Sequence, residues 1–447
     1  MGGNVMASSR RFRLSLGRAL ILALMLLSAP LLSQAEGIKG PIAPLAVAPD
    51  QSLATRGQVQ INPFTDSSGQ ASGFVAALER QIIANLASVG LLAAAQRRVA
   101  ELDPPNMLVT QKRSAEPRVQ ISGSVAVFSA DIFIVSLIIT DRRQGLQISR
   151  YETRAQRENG SRVANRLSDQ IYLYTTKLPG HFDTRIAFIE PQASGDRLAL
   201  MLSDGSEPQT IMQSKTQLSS PRYRLNPAQL LFVAQQNHLR AIAEQGDRLT
   251  AVLQIEGLVG DVELAPGGRY LVFSRDVKGN EDLYLHNLSN GQERRLTWHP
   301  GRDRAPQFAP DGQSLLFVSD RSGTLQIHRL LLAESQVERL SYAGGRYIVP
   351  VHSPSEPWVA FTKQVGAKQY LGLLNPDTGR EQLLVTAQEL SRPSWSPNGR
   401  MLVYHKRNPH SGETEIWTYN LILMRELHLG EGTLPVWSPP SQRQMAF

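Results

Sequence analysis

The side chains best able to do chemistry in this 447-residue chain are its nine histidines, and they stand singly, with no spacing that would set two of them on one metal ion. The G-x-S-x-G elbow of a hydrolase, the zinc helix H-E-x-x-H and the phosphate loop G-x-x-x-x-G-K-[ST] are all missing, as is a G-x-G-x-x-G at a strand–helix junction. Glu413 and Glu415 alternate along a strand-like stretch and read as a solvated face, and Asp320-Arg321-Ser322-Gly323 reads as a turn. With no cysteine, thiol catalysis, disulfides and Cys-based zinc sites are removed together. The expectation is no catalytic residue, no metal site and no cofactor. A net charge of +8 could draw nucleic acid, but the arginines are scattered and no basic run is interleaved with aromatics, so no nucleic-acid partner is expected.

What does recur is a proline phrase. It reads Ala-Pro-Gln-Phe-Ala-Pro-Asp-Gly at 305–312, Arg-Pro-Ser-Trp-Ser-Pro-Asn-Gly at 392–399 and Leu-Pro-Val-Trp-Ser-Pro at 434–439. Its second proline falls at Pro227, Pro266, Pro310, Pro354, Pro397 and Pro439, at intervals of 39, 44, 44, 43 and 42 residues. A period of that length has room for four strands of ~5–6 residues with their turns. Such four-stranded sheets bury their faces only against neighbours, and a radial arrangement of them is a β-propeller. The proline that opens the phrase lacks an N–H and suits a strand start, and Ser/Asn-Pro-Asp/Asn-Gly makes a tight turn. Phe308, Trp395 and Trp437 are predicted to pack between sheets. His352, at the same position, is a tolerated substitution there.

Closure is legible too. Thr184–Glu190, Leu198–Leu202 and Gln209–Gln213 supply the second, third and fourth strands of a sheet that lacks a first. Leu434–Ser438 is a first strand without partners. The economical solution is six blades, with the C-terminal strand completing the N-terminal blade. The tail 443–447 is left over.

Upstream, Phe74, Leu78, Ile82 and Leu86 mark one face of a helix that Gly90 can end. Val119–Phe128 and Ile132–Thr140 alternate as a hairpin, Gln147–Arg154 is a third strand, and Val163, Leu167, Ile171, Tyr174 and Leu178 stripe a second helix stopped by Gly180. Two helices against a sheet make a small α+β domain. Before it, Arg10, Arg11, Arg13 and Arg18 lead into the apolar run Ala19–Leu27, with Pro30 and then Ser33-Gln34-Ala35 behind it. This is the pattern of a secretory signal peptide cleaved between Ala35 and Glu36. Its nine-residue core falls short of the ~20 residues that span a bilayer. The expected order is a signal peptide (1–35), an extended Pro-rich arm (36–57), an α/β domain (58–180) and an all-β six-bladed propeller of WD40-like repeats (181–447).

The signal peptide, the small α/β domain and the junction Gly180-His-Phe-Asp-Thr-Arg-Ile-Ala-Phe188 lead into the repeats at Gln307–Gln313 and Trp395–Gly399, followed by Pro435-Val-Trp-Ser-Pro439. In this order, and in Ala360-Phe-Thr-Lys-Gln364, the chain resembles the TolB family, periplasmic β-propeller proteins of the Tol-Pal envelope system of Gram-negative bacteria. The resemblance covers nearly all of the chain after residue 35. It implies a non-enzymatic periplasmic adaptor whose propeller docks a Pal-like peptidoglycan-associated lipoprotein. It also implies that the N-terminal arm, from Glu36, Gly37, Ile38 and Lys39 onward, contacts a TolA-like inner-membrane protein. The complex would support outer-membrane integrity and constriction at division. The residues just ahead of each first strand would line the channel mouth: Asp261, Arg304, Ala305, Tyr347, Ile348, Ser391, Arg392 and Thr433. A monomer is the default, since a ring closes on itself. An enzyme-associated propeller and a glycan-binding secreted propeller are the competing readings. The first would need an attached hydrolase domain, for which the region before the repeats carries no nucleophile elbow.

Overall fold

The computed structural model describes residues 59–92, 117–142, 145–224, 229–234, 238–243, 249–256 and 258–440. The predicted signal peptide, the arm with Glu36–Lys39, the turn at Pro227 and the tail 443–447 lie outside the described residues.

The first region is α+β. Strands β1 (Val59–Ile61) and β2 (Thr65–Asp66) run parallel to β3 (Val119–Ser129), which pairs antiparallel with β4 (Ile132–Asp141), and β4 with β5 (Leu146–Gln156). Helices α1 (Ser72–Ser88) and α2 (Gly160–Thr176) cover one face. The alternation along β4 decides which face is covered, because Phe133, Val135, Leu137 and Ile139 all point inward and are fully buried. As expected, α1 ends at Gly90, whose φ of 74° suits glycine. Helix α2 ends differently from the expectation. Its left-handed residue is Lys177 (φ 63°), and Gly180 is needed for close approach, since a Cβ there would lie 1.9 Å from Asp169 Oδ1. Asp169 uses that proximity to accept the N–H groups of Phe182 (2.8 Å) and Asp183 (3.0 Å), fixing the exit from the helix.

Six four-stranded antiparallel sheets follow. The first contains β6 (Arg185–Gln192), β7 (Gly195–Leu202) and β8 (Gln209–Gln213). The second is β9 (Ser219–Arg224), β10 (Gln229–Ala234), β11 (His238–Ala243) and β12 (Leu249–Gln254). The third is β13 (Leu258–Leu264), β14 (Tyr270–Val277), β15 (Asn280–Asn287) and β16 (Glu293–Arg295). The fourth is β17 (Asp303–Phe308), β18 (Ser314–Ser319), β19 (Gln326–Leu331) and β20 (Gln336–Arg339). The fifth is β21 (Arg346–His352), β22 (Val359–Val365), β23 (Lys368–Leu374) and β24 (Glu381–Ala387). The sixth is β25 (Ser394–Trp395), β26 (Met401–Arg407), β27 (Thr414–Asn420) and β28 (Arg425–Glu431). The last strand, β29 (Thr433–Trp437), returns to the first sheet and pairs with β6, Trp437 opposite Ile186.

Packing runs around the same order. Separate apolar clusters join the first sheet to the second, second to third, third to fourth, fourth to fifth and fifth to sixth. A sixth cluster joins the sixth sheet back to the first through Met401, Val403, Ile416, Ile186, Phe188 and Trp437. That sequence of contacts is consistent with a propeller-like arrangement. Each cluster draws on one aromatic of a second strand: Phe188, Phe232, Phe273, Phe317, Phe361 and Tyr404, all buried, at intervals of 44, 41, 44, 44 and 43 residues. As expected, Phe308, Trp395 and Trp437 also sit between sheets. Trp395 donates Nε1–H to the Val351 carbonyl (3.1 Å), and Trp437 donates its own to Thr184 Oγ1 (2.8 Å).

The α+β region meets the sheets through polar contacts at turns. Asn420 Nδ2 donates to the Ser88 carbonyl (3.0 Å), and Gln81 Nε2 to Asp204 (3.2 Å). Asn398 Nδ2 donates to His181 Nδ1 (3.1 Å). That ring is buried beside Phe182, Tyr172 and Trp437, and burial holds its pKa down at about 4.

Candidate functional site

The first strands of all six sheets line one cavity of about 360 Å³, bounded by Arg222, Tyr223, Glu263, Gln307, His352, Arg392, Trp395, Trp437 and a set of prolines. Five of these strands carry a β-bulge within a residue or two of the same register. The register shifts between Val259 and Val262, Arg304 and Gln307, Tyr347 and Val349, and Thr433 and Val436, and in β10 opposite Ser219–Arg222. A bulge turns the strand and re-aims the side chain that follows it. The equivalent positions in register, at or within two residues past the bulges, are Arg222, Glu263, Gln307, Val351 and Val436, with Ser394 in β25, spaced 41, 44, 44, 43 and 42 residues apart. All six line the cavity. Measured this way the second sheet is regular. The 39-residue interval at Pro227 arises because β9 runs on through Tyr223 and Arg224 before its turn.

At that level the cavity is crossed by a charged network. Glu263 Oε2 accepts from Arg222 Nε and from Arg392 Nη2, both at 2.9 Å, and Oε1 accepts from Gln307 Nε2 at 2.6 Å. Gln307 Oε1 in turn accepts from Arg392. The three charged side chains are 11–14% exposed, and with Gln307 they tie together the second, third, fourth and sixth sheets. His352 lines the same cavity, with its Nε2 buried and without a hydrogen-bond partner. Its burial keeps the imidazole neutral, the pKa lowered to about 4.

The predicted mouth residues divide. Among those whose side chains are described, Arg392 alone lines the cavity. Arg304, the second residue of β17, is 31% exposed and paired with Glu281 of β15 at 2.5 Å. Ala305 (φ 51°) forms the bulge beside it, while Ile348 and Thr433 are half-buried at their own bulges. Asp261 lies in the β13 bulge, and its side chain is outside the described residues. Two expectations are corrected. Tyr347 is fully buried between the fourth and fifth sheets, with its hydroxyl on Glu381 and Lys363 over its ring, so it builds the core and offers no surface to a partner. Ser391 is buried as well, and its Oγ accepts the His405 N–H at 2.8 Å, bracing β26. His405 Nδ1 accepts the Leu434 N–H at 2.8 Å, so this pair holds the closing strand.

Two surface residues escaped sequence reasoning. Trp298 (65% exposed) and Tyr342 (67%) stand 44 residues apart, each under the arginine of its own fourth strand, Arg295 and Arg339. Their repeat spacing is the signal that could have found them. Among the described residues, no group of three or more His, Cys, Asp or Glu could hold a metal ion, and no helix is long and apolar enough to cross a membrane.

Residues 172–441 match the TolB β-propeller domain family. The chain belongs to the TolB family. It is 33% identical over 325 residues to the Tol-Pal system protein TolB of Gluconobacter oxydans, covering 68% of this chain and 71% of that relative. With the protein of the same name from Rickettsia conorii it shares 33% over 343 residues, 71% of this chain and 77% of the relative. Some alignments are shorter. The chain spans about a third of the length of the Ruthia magnifica relative, 31% identical over 145 residues, 30% of this chain and 34% of the relative. The crystal structure of TolB from Acinetobacter baumannii superposes with a TM-score of 0.70 at 22% identity, covering 86% of this chain and 97% of that one, and shares the fold. TolB-family proteins are periplasmic and non-enzymatic, so the enzyme-associated reading falls away. The export segment read from the sequence agrees with that compartment.

Proposed function

We propose that this chain is an adaptor of the Tol-Pal system, with its six sheets closed as a six-bladed propeller by β29. In this reading residues 1–35 are removed on export, 36–57 form an arm, 58–180 the α/β domain and 181–447 the propeller. The propeller mouth docks a Pal-like peptidoglycan-associated lipoprotein. The arm, beginning at Glu36, Gly37, Ile38 and Lys39, reaches a TolA-like inner-membrane protein. The assembly supports outer-membrane integrity and constriction at cell division.

The observation that carries this reading is a cavity to which every sheet contributes its first strand, with arginines at the strand starts, in a chain of the TolB family. Arg304 and Arg392 are the residues we assign to the partner, with Ala305, Ile348, Thr433 and Asp261 around them and the exposed Trp298 and Tyr342 as candidate outer anchors. The test is titration calorimetry with the soluble domain of the lipoprotein from the same organism. The Arg304→Gln, Arg392→Gln double variant should bind at least about tenfold more weakly, as expected when interface arginines are lost. Its thermal unfolding should remain cooperative. Equal affinity in a folded double variant would remove the mouth from the docking surface.

A further inference from the structure

The two arginines best placed to meet a partner are already held from within. Arg304 is paired with Glu281 at 2.5 Å, and Arg392 with Glu263 at 2.9 Å. Both glutamates belong to the third sheet, on β15 and β13, whereas the arginines come from the fourth sheet and from the segment entering the sixth. Each glutamate side chain is nearly buried, at 11% and 13% exposure. Around these pairs the strand starts are basic. Arg302 and Arg346 are exposed, and Asp303, next to Arg302 in the chain, is fully buried against Arg321 at 2.8 Å. The strand starts therefore turn the guanidinium groups of Arg302, Arg304 and Arg346 outward while Glu281 stays more covered than Arg304, and Arg392 lines the cavity as covered as its partner Glu263, which fits a partner segment rich in Asp or Glu.

We propose that Glu263 and Glu281 are internal competitors of that segment. In the free protein they occupy Arg392 and Arg304, and an incoming carboxylate docks by displacing them. This inference rests on the mouth being the docking site. Exchanging one carboxylate for another at a guanidinium changes the pair energy little, so a stray anion gains almost nothing. A segment whose carboxylates reach both arginines at once, and which adds contacts of its own, gains enough. The glutamates thus act as a filter against poorly matched anions. Displacing Glu263 would also release the tie across the cavity, since the same carboxylate holds Arg222 and Gln307.

The test compares the full chain with Glu263→Gln, Glu281→Gln and the control Glu334→Gln, which removes an exposed charge on the β19–β20 turn. Each is titrated with a hexaglutamate peptide and, separately, with the soluble domain of the lipoprotein. Removing a competitor should tighten hexaglutamate binding about five- to tenfold, while the control moves it less than about twofold. Unchanged or weaker binding by folded Glu263→Gln and Glu281→Gln overturns the proposal. So does a gain no larger than the control's, or no hexaglutamate binding by any form. If Glu263→Gln proves unfolded by its melting curve, Glu281→Gln, outside the cavity lining, decides alone. Hexaglutamate tightening without any lipoprotein binding would keep the competitor mechanism and remove the lipoprotein as its partner.

Discussion

Gly180 has nothing to do with backbone handedness, yet a methyl group there would meet Asp169 Oδ1 at 1.9 Å and the Asp169 Cα at 2.6 Å. Neither can move without loosening the two N–H bonds by which Asp169 steers the chain into the first sheet. Gly180→Ala should therefore cost about 2–3 kcal/mol, the range of an overpacked site. Chemical denaturation would show it, and a loss below about 0.5 kcal/mol would mean that the helix shifts freely. From the sequence this glycine reads as a helix stop, because the helix and its left-handed cap at Lys177 are local while the clash is not. The mouth shows the same limit. Repeat position pointed to Arg304 and Arg392, but the glutamates that hold them depend on side chains from other sheets, 23 residues (304 − 281) and 129 residues (392 − 263) away. Tyr347 and Ser391 shared the repeat position and turned inward, Tyr347 at the β21 bulge into the packing between sheets and Ser391 ahead of β25 onto the His405 N–H.

At the scale of the element, the proline phrase marks first strands, and the deeper regularity is the aromatic of each second strand. Phe361 shows what it does. Its ring meets Tyr347 edge-on at 5.2 Å and occupies the space over Gly372, where a Cβ would come within 2.5 Å of it. Phe361→Ala should destabilise the protein by about 3–5 kcal/mol, as for other buried aromatics, whereas Trp298→Ala, on the surface, should stay within about 0.5 kcal/mol. Paired denaturation curves check both, and comparable losses would contradict the assigned packing. The four-strand repeat and the return of the last strand to the first sheet were both legible, because period and missing strands are properties of the chain's order. The aromatic row went unread because Phe188, Phe232, Phe273, Phe317, Phe361 and Tyr404 lie in stretches that look like ordinary apolar strands. Without a proline or glycine beside them, only the common interval sets them apart.

At the scale of the whole molecule, four histidines among the described residues are buried or half-buried and neutral: His181, His328, His352 and His405, each with its pKa lowered to about 4, chiefly by loss of hydration. Unfolded, they would titrate near ~6.5. Between these values the unfolded chain binds more protons than the folded one, so stability is fully present above about pH 6.5 and falls as the pH drops toward 4. Melting temperature measured from pH 7.5 to 4.5 should decline through that window, before most carboxylates protonate, and a flat profile would speak against buried neutral imidazoles. His181 and His405 sit where the α+β region and β29 are fastened, so acid should loosen those joints first. The pairing of β29 with β6 also bears on how the molecule comes into being. Arg185 and Ser438 exchange hydrogen bonds across 253 residues, so the first sheet stays one strand short until nearly everything between them has been made. A chain emerging from one end must therefore wait, with the apolar edge of β6 bare, and it is during this interval that a periplasmic chaperone would find the most to hold.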